Sequence, residues 1–295
     1  MEKRILGKTG YSITPVVYGG IVSMRDGQDA SDRYVSWAID RGVNYFDVAP
    51  SYGDAQEKLG NSLKPYRNSV YLACKTQKRT AEDAKREMLE SMKLLHTDYF
   101  DVYQLHALSS REEVKTAFAP GGVMEAIEWG KREGIIRHTG ITAHSEAAAL
   151  AALELYDFDT VLYPMNWSLM MAFDNGKALL AKAKERGMGF LAMKAFIERA
   201  WNDQAEREGS RFPKSWCKPI DTEDRTFLLA AMRFTLELGV DTLVPSGNFE
   251  TFSFAIEHID EALAKPISEE EHALLADKLE GVRDKLFFTE EATKK

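Results

Sequence analysis

The feature that most constrains this chain is an alternation. Short apolar, β-rich runs recur at residues 13–18, 43–46, 70–73, 100–105, 135–141, 160–163, 189–193 and 242–244. A segment with apolar residues at helical spacing follows each one, near residues 31–41, 55–63, 81–95, 123–132, 146–155, 177–186, 225–238 and 252–264. Alternation of this kind implies right-handed crossovers and a parallel sheet, and eight such units close naturally into a (β/α)8 TIM barrel. The expectation is one α/β domain over residues 1–295. An open doubly wound sheet is the alternative, but "YGGIVSM" after the first run lacks the third glycine of GxGxxG and the helix that should open there. Glycines at 42, 134, 187 and 239 sit where left-handed caps would end helices before the next strand.

The 295 residues, 44% hydrophobic and 28% charged, suffice for one large core. A net charge of -8 with no concentrated basic face argues against nucleic acid or an acidic membrane as partner. Two cysteines, Cys74 and Cys217, in no CxxC spacing fit a reducing compartment, and no window approaches the ~18 apolar residues of a membrane span. The opening "MEKRILGKTGYSI" is too charged for a secretory h-region, so the expected location is cytoplasmic. That opening reads as a β-hairpin around residues 8–10 that plugs the barrel floor. Residues 195–221, "AFIERAWNDQAEREGSRFPKSWCKPID", form a long connection after the seventh run and read as a lid. The charged tail is partly helical, with Phe287 and Phe288 as contacts, and "SEEEHALLADKLE" reads as a solvated helix face.

Barrel active sites gather at the carboxyl ends of strands. The second run ends at Asp47, the third, "VYLACK", at Lys75, and the fourth, "FDVYQLH", at His106. Taken singly, Asp47 could cap a turn, Lys75 could snorkel and His106 could be a satisfied core imidazole. Together they face one mouth. Tyr52, five residues beyond Asp47, completes a set with a mechanism: an ammonium favours phenolate, a carboxylate holds the ammonium, and an imidazole polarises a carbonyl oxygen. With no nucleophile and no metal cage, the set moves a proton to a carbonyl oxygen, and a cofactor must supply hydride.

These residues resemble the aldo-keto reductases. The resemblance runs from residue 4 to about 264 and places that family's catalytic aspartate, tyrosine, lysine and histidine on Asp47 and Tyr52 in "NYFDVAPSYG", Lys75 in "ACKT" and His106 in "DVYQLH". "GIIRHTGIT" resembles its fifth-strand motif and "LGVDTLVPSGN" its eighth. It implies an NAD(P)H-dependent carbonyl reductase or alcohol dehydrogenase acting on a small aldehyde, ketone or sugar carbonyl. NADP(H), with NAD(H) as the alternative, would approach Gly20, Ile21, Thr142, Asn166, Lys194, Ser246, Gly247 and Asn248. The chain departs from the family at Thr142-Ala143, where a serine-asparagine pair is usual, and at Met193, where many members have a tyrosine. "PSGNFETF" has no arginine for a 2′-phosphate.

Phe118, Trp167, Trp201 and Trp216 fall on loops and are expected to wall the substrate pocket. His138 and His144 flank the fifth run and read as surface or loop histidines, since no metal-ligand spacing surrounds them. Two rival readings stand: a cofactor-retaining redox-sensing regulatory subunit, as in the potassium-channel β subunits of this fold, and a metal-dependent sugar isomerase. Substrate identity and oligomeric state are not legible.

Overall fold

The computed structural model describes residues 1–287; Phe288 and the rest of the tail lie outside the described residues. Eight parallel strands form one continuous sheet in sequence order. They are β1 (Tyr18–Gly19), β2 (Tyr45–Asp47), β3 (Tyr71–Thr76), β4 (Phe100–Leu108), β5 (Ile136–Ala143), β6 (Thr160–Pro164), β7 (Gly189–Met193) and β8 (Thr242–Val244). The sheet closes where Val17 N donates to Leu243 O at 2.9 Å and Leu243 N to Pro15 O at 2.9 Å. The expected barrel is therefore present, with a correction at its first stave. Pro15 has no N–H to donate, so the run splits: Ser12–Ile13 joins the amino-terminal hairpin and Tyr18–Gly19 joins the barrel.

Alternation along the strands divides the apolar residues into two layers. Tyr45, Ala73, Val102, Leu162, Leu191 and Val244 point inward and form a compact interior cluster with Leu6, Ile13 and Val17. The other strand faces pack against the helices in a larger, surrounding layer. The amino-terminal hairpin, Arg4–Ile5 with Ser12–Ile13, lies against the start of β7, where Lys8 N donates to Gly187 O at 2.6 Å. A Cβ at Gly7 would lie 2.2 Å from the Gly189 nitrogen, so only glycine permits this approach. The four cap glycines all have positive φ, between 64° and 86°.

Four helices interrupt the simple repeat: Arg111–Phe118, Trp167–Phe173, Gln204–Gly209 and Glu269–Glu280. The last begins with a capping box between Ser268 and Glu271, and it is more than a solvated face, because Leu275 and Leu279 are buried and Glu271 pairs with Arg233. Residues 195–221 fold as a two-stranded ribbon, Ile197–Arg199 with Lys218–Pro219, flanking the short helix. Lys214 crosses from this segment to Asp26 and to Val22 O, tying it to the loop after β1. Among the described residues no helix is long and apolar enough to cross a membrane.

Candidate active site

Period-two alternation aims Asp47, Lys75 and Gln104 into the barrel interior at neighbouring positions on β2, β3 and β4. Lys75 Nζ pairs with Asp47 Oδ2 in a fully buried contact. Gln104 Nε2 donates to the other carboxylate oxygen at 2.9 Å, and Lys75 Nζ also reaches Val48 O at 3.4 Å. Tyr52 follows β2 in a turn fixed by Tyr52 N to Ala49 O at 3.1 Å and Ala55 N to Tyr52 O at 3.0 Å. Its ring lies with Lys75 Nζ 5.2 Å from its centroid and meets His106 edge-on at 5.9 Å. The ladder slips between Leu105 and Leu108, where Ala107 takes φ of 58° and its N–H donates to Thr142 Oγ1 at 2.7 Å. Such bulges re-aim side chains beside active sites, and here the bulge follows His106 directly.

Burial shapes the electrostatics. It raises the Tyr52 pKa, Lys75 pulls it down, and the net shift is upward, so the expected lowering by the ammonium is outweighed by loss of water. Burial alone would lower the Lys75 pKa, but Asp47 and then Tyr52 reverse it, and the ammonium is held more firmly than usual. The His106 imidazole falls to about 2, first through burial and then through Lys75, which makes it neutral at ordinary pH. Tyr52 thus keeps its proton beside a fixed cation and a neutral ring.

These groups open into a cleft of about 750 Å³ at the carboxyl ends of the strands. Ile21, Thr142, Lys194, Ser246 and Gly247 line it, as do Gly19 and Met193. Three features suit a dinucleotide phosphate. The Ser246 hydroxyl is buried without a partner among the described residues, a Cβ on Gly247 would come within 2.2 Å of Ile21, and Lys194 lines the same cleft. Lys194 sits at φ of 62° beneath the Phe287 ring, 4.6 Å from its centroid, and burial lowers its pKa to about 8.

Other expected cofactor residues stand behind the wall. Gly20 packs against Val48, where a Cβ would be 2.7 Å from Cγ2. Asn166 caps the helix Trp167–Phe173 and donates to Lys194 O at 3.0 Å, supporting that lysine from a side pocket. Asn248 caps the helix Phe249–Leu263 and donates to Ser215 Oγ at 3.1 Å.

The expected substrate wall needs correcting at three of its aromatics. Trp167 is fully buried, donating to Ile197 O at 3.1 Å and packing on Phe227, because it opens a helix inside the outer layer. Phe118 ends a helix on the barrel's outside and lines a hollow with Met124, Leu155 and Tyr156. Trp201 braces residues 195–221 internally by donating to Ser215 O at 2.9 Å. Trp216 does line the cleft, 42% exposed and edge-on to Tyr52 at 6.0 Å.

Two features of the site escaped sequence reasoning. Gln104, which holds Asp47, was hidden within an apolar run. His144 does sit in the loop just past β5, as expected, but it also lines the cleft, with burial lowering its pKa to about 3. The signal was available: counting alternate residues from Gly140 and Thr142 leads to His144, one residue past the end of β5. His138 instead meets Tyr11 edge-on near the hairpin and lies 3.4 Å from Asp159. Among the described residues, no group of three or more His, Cys, Asp or Glu is placed to hold a metal ion.

Comparison with known proteins gives the setting. The model of the aldo/keto reductase family matches residues 22–278. The uncharacterized oxidoreductase YqkF of Bacillus subtilis is 29% identical over 157 residues, 48% of this chain and 49% of that one. The chain spans about half the length of the first curated relatives it matches. An aldo-keto reductase structure from Bacillus halodurans superposes with a TM-score of 0.71 at 19% identity, covering 94% of this chain and 96% of that one. One from Bombyx mori in complex with NADP gives 0.65 at 16% identity, covering 94% and 93%. At those identities the two structures speak for the fold alone.

Proposed function

The chain belongs to the aldo/keto reductase family, and from that premise we propose that it is an NAD(P)H-dependent oxidoreductase that interconverts a small carbonyl compound and its alcohol. The observation that carries this reading is Tyr52 set over the buried Lys75–Asp47 pair and edge-on to a neutral His106 at the base of one cleft. A reduced nicotinamide bound there would supply the hydride. Lys194, Ser246 and Gly247 would hold its phosphates, and Met193 offers a soft apolar surface beside the ring. NADP(H) is the reading adopted, with NAD(H) as the alternative.

In the reducing direction Tyr52 holds a proton that the carbonyl oxygen needs as negative charge grows on it. Its raised pKa keeps the phenol protonated in the resting protein. As the proton leaves, Lys75 stabilises the phenolate, and Asp47, fixed by Gln104, keeps Lys75 charged and in place. Neutral His106 contributes one N–H to orient the carbonyl without competing as an acid. Burial excludes water from this set and strengthens each contact.

The test is cofactor oxidation with a panel of aldehydes, wild type beside Tyr52→Phe. Loss of the general acid should lower turnover by roughly 10²–10⁴-fold. Equal turnover by both proteins would remove Tyr52 from the mechanism.

A further inference from the structure

An imidazole in a site is commonly turned to its task by a hydrogen bond through its other ring nitrogen. In His106 that device is missing, because Nδ1 is buried without a partner among the described residues. The ring therefore takes its direction from the backbone that carries it and from packing, such as the edge of Tyr52. That backbone is unusual. The ladder to β3 ends with Leu105 opposite Thr76, and the ladder to β5 passes from Leu105–Ile141 to Leu108–Ala143, so His106 and Ala107 have no partner residue in either. Ala107 takes a φ of 58°, a conformation that persists in an L residue only where its surroundings hold it.

Two side chains do the holding. Of the peptide unit that joins His106 to Ala107, the carbonyl accepts Arg79 Nη2 at 2.7 Å and the N–H donates to Thr142 Oγ1 at 2.7 Å. Arg79 comes from the loop after β3 and is itself fixed. Its Nε donates to Glu113 Oε1 at 2.9 Å, Nη2 lies 2.6 Å from the same oxygen, and Nη1 donates to Lys78 O at 3.2 Å. Glu113 stands on the helix Arg111–Phe118, and its Oε2 accepts the Ser109 N–H at 2.8 Å and the Ser109 hydroxyl at 2.9 Å. The connection from His106 O through Arg79 and Glu113 thus closes on the segment just past β4. Bonds to a charged donor are the stronger kind. Arg79 is not among the described residues that line the cleft.

We infer that Arg79, braced by Glu113, is a positioning residue that holds the His106–Ala107 peptide in its bulged conformation and thereby aims the imidazole at the carbonyl oxygen of the substrate. The inference rests on the carbonyl-reducing reading above. Rotation of that peptide would swing the ring away from the oxygen, and a displacement of about 1 Å is enough to lose much of an oriented contact. One of the helices that interrupt the barrel repeat gains a purpose by this route, since it supplies the bracing carboxylate.

The experiment is a double-mutant cycle in aldehyde reduction, with kcat/KM per folded molecule measured for wild type, Arg79→Met, His106→Leu and the two combined. Arg79→Met should lower kcat/KM by roughly 10–100-fold, with dinucleotide affinity, read by cofactor fluorescence, unchanged. In the His106→Leu background the same substitution should cost little more, because a residue that acts through the ring has nothing left to aim. An equal loss with and without the imidazole would mean that Arg79 acts by another route and overturns the inference. Wild-type kcat/KM in Arg79→Met overturns it too, as does a loss confined to dinucleotide binding. Should Arg79→Met not fold, Glu113→Gln, which removes the brace and keeps the arginine, takes its place with a smaller expected loss and the same criterion. If wild type and Tyr52→Phe are indistinguishable on the aldehydes, the carbonyl-reducing reading itself falls, and this inference with it.

Discussion

Two buried ion pairs lie at opposite ends of the same barrel. At the amino ends of the strands, Arg67 meets Asp101 at 3.1 Å. Its other donors reach Thr97 Oγ1 at 2.7 Å, Tyr99 O at 2.8 Å and Val70 O at 3.2 Å, while Asp101 also takes the Leu72 N–H at 2.9 Å. The guanidinium rests on the Tyr99 ring, 4.2 Å from its centroid. At the carboxyl ends Lys75 meets Asp47, but there Gln104 Oε1 and, lining the cleft, His106 Nδ1 and Ser246 Oγ are buried without partners among the described residues. Burial of charge is common to both pairs. What separates scaffold from site is that one network is saturated by backbone and the other leaves capacity for a ligand.

The sharpest way to break this contrast is to cut one partner from each pair. Arg67→Met leaves buried Asp101 with only Arg137 at 3.5 Å as a cation, Lys75→Met leaves Asp47 with none, and each should destabilise by about 3–5 kcal/mol, read by urea unfolding. Turnover per folded molecule should collapse only in Lys75→Met. A comparable collapse in Arg67→Met would merge the two classes.

Removing both charges sharpens the point. Asp47→Leu with Lys75→Met should recover most of the lost stability, since two charges no longer need to be buried. Asp101→Leu with Arg67→Met should remain about 1–3 kcal/mol worse, because the Leu72 N–H and the Val70 and Tyr99 carbonyls lose their partners. Equal recovery would show that backbone saturation does not distinguish the floor.

The cofactor side of the mouth offers a smaller effect. Lys194→Met should weaken dinucleotide binding by roughly tenfold, as expected for a charge-assisted contact. Wild-type affinity should decline as pH rises through about 8, where Lys194 loses its proton, and the variant should be flat there. Titration of cofactor fluorescence at several pH values reads both, and parallel curves would take Lys194 out of the phosphate site.

The smallest effect concerns acid stability. His106 titrates near 2 in the folded protein against an ordinary 6.5, so below pH 6.5 the unfolded chain gains a proton that the folded one refuses. Its contribution is complete above pH 6.5 and is lost as pH falls towards 2. Between pH 6.5 and about 5.5, His106→Gln should lose about 1 kcal/mol less stability than wild type. Identical slopes would mean that the folded imidazole protonates normally.

Several parts of this molecule were legible before any coordinates. Helix ends showed because glycine alone adopts the left-handed cap freely, as at Gly42 and Gly239. Asp47, Lys75 and His106 showed because a charged or polar group ending a buried run has only the mouth to face. The wall aromatics did not, since Trp167 and Trp216 are chemically alike and both lie on connections that follow barrel strands. One is sealed by a helix turn and Phe227, the other left open on the segment after β7. His144 was readable by counting alternate residues from Gly140, but that requires knowing that the strand continues through Ala143.

By itself, then, the order of residues determined the barrel and which strand ends carry chemistry. Periodicity and backbone preference are local properties, repeated in every unit and insensitive to distant neighbours. Tertiary structure alone decided which aromatic walls the cleft, the upward balance of the Tyr52 pKa and the placing of His144 in the same cleft as His106. Those depend on burial and on contacts between segments far apart in the chain, which no local pattern encodes.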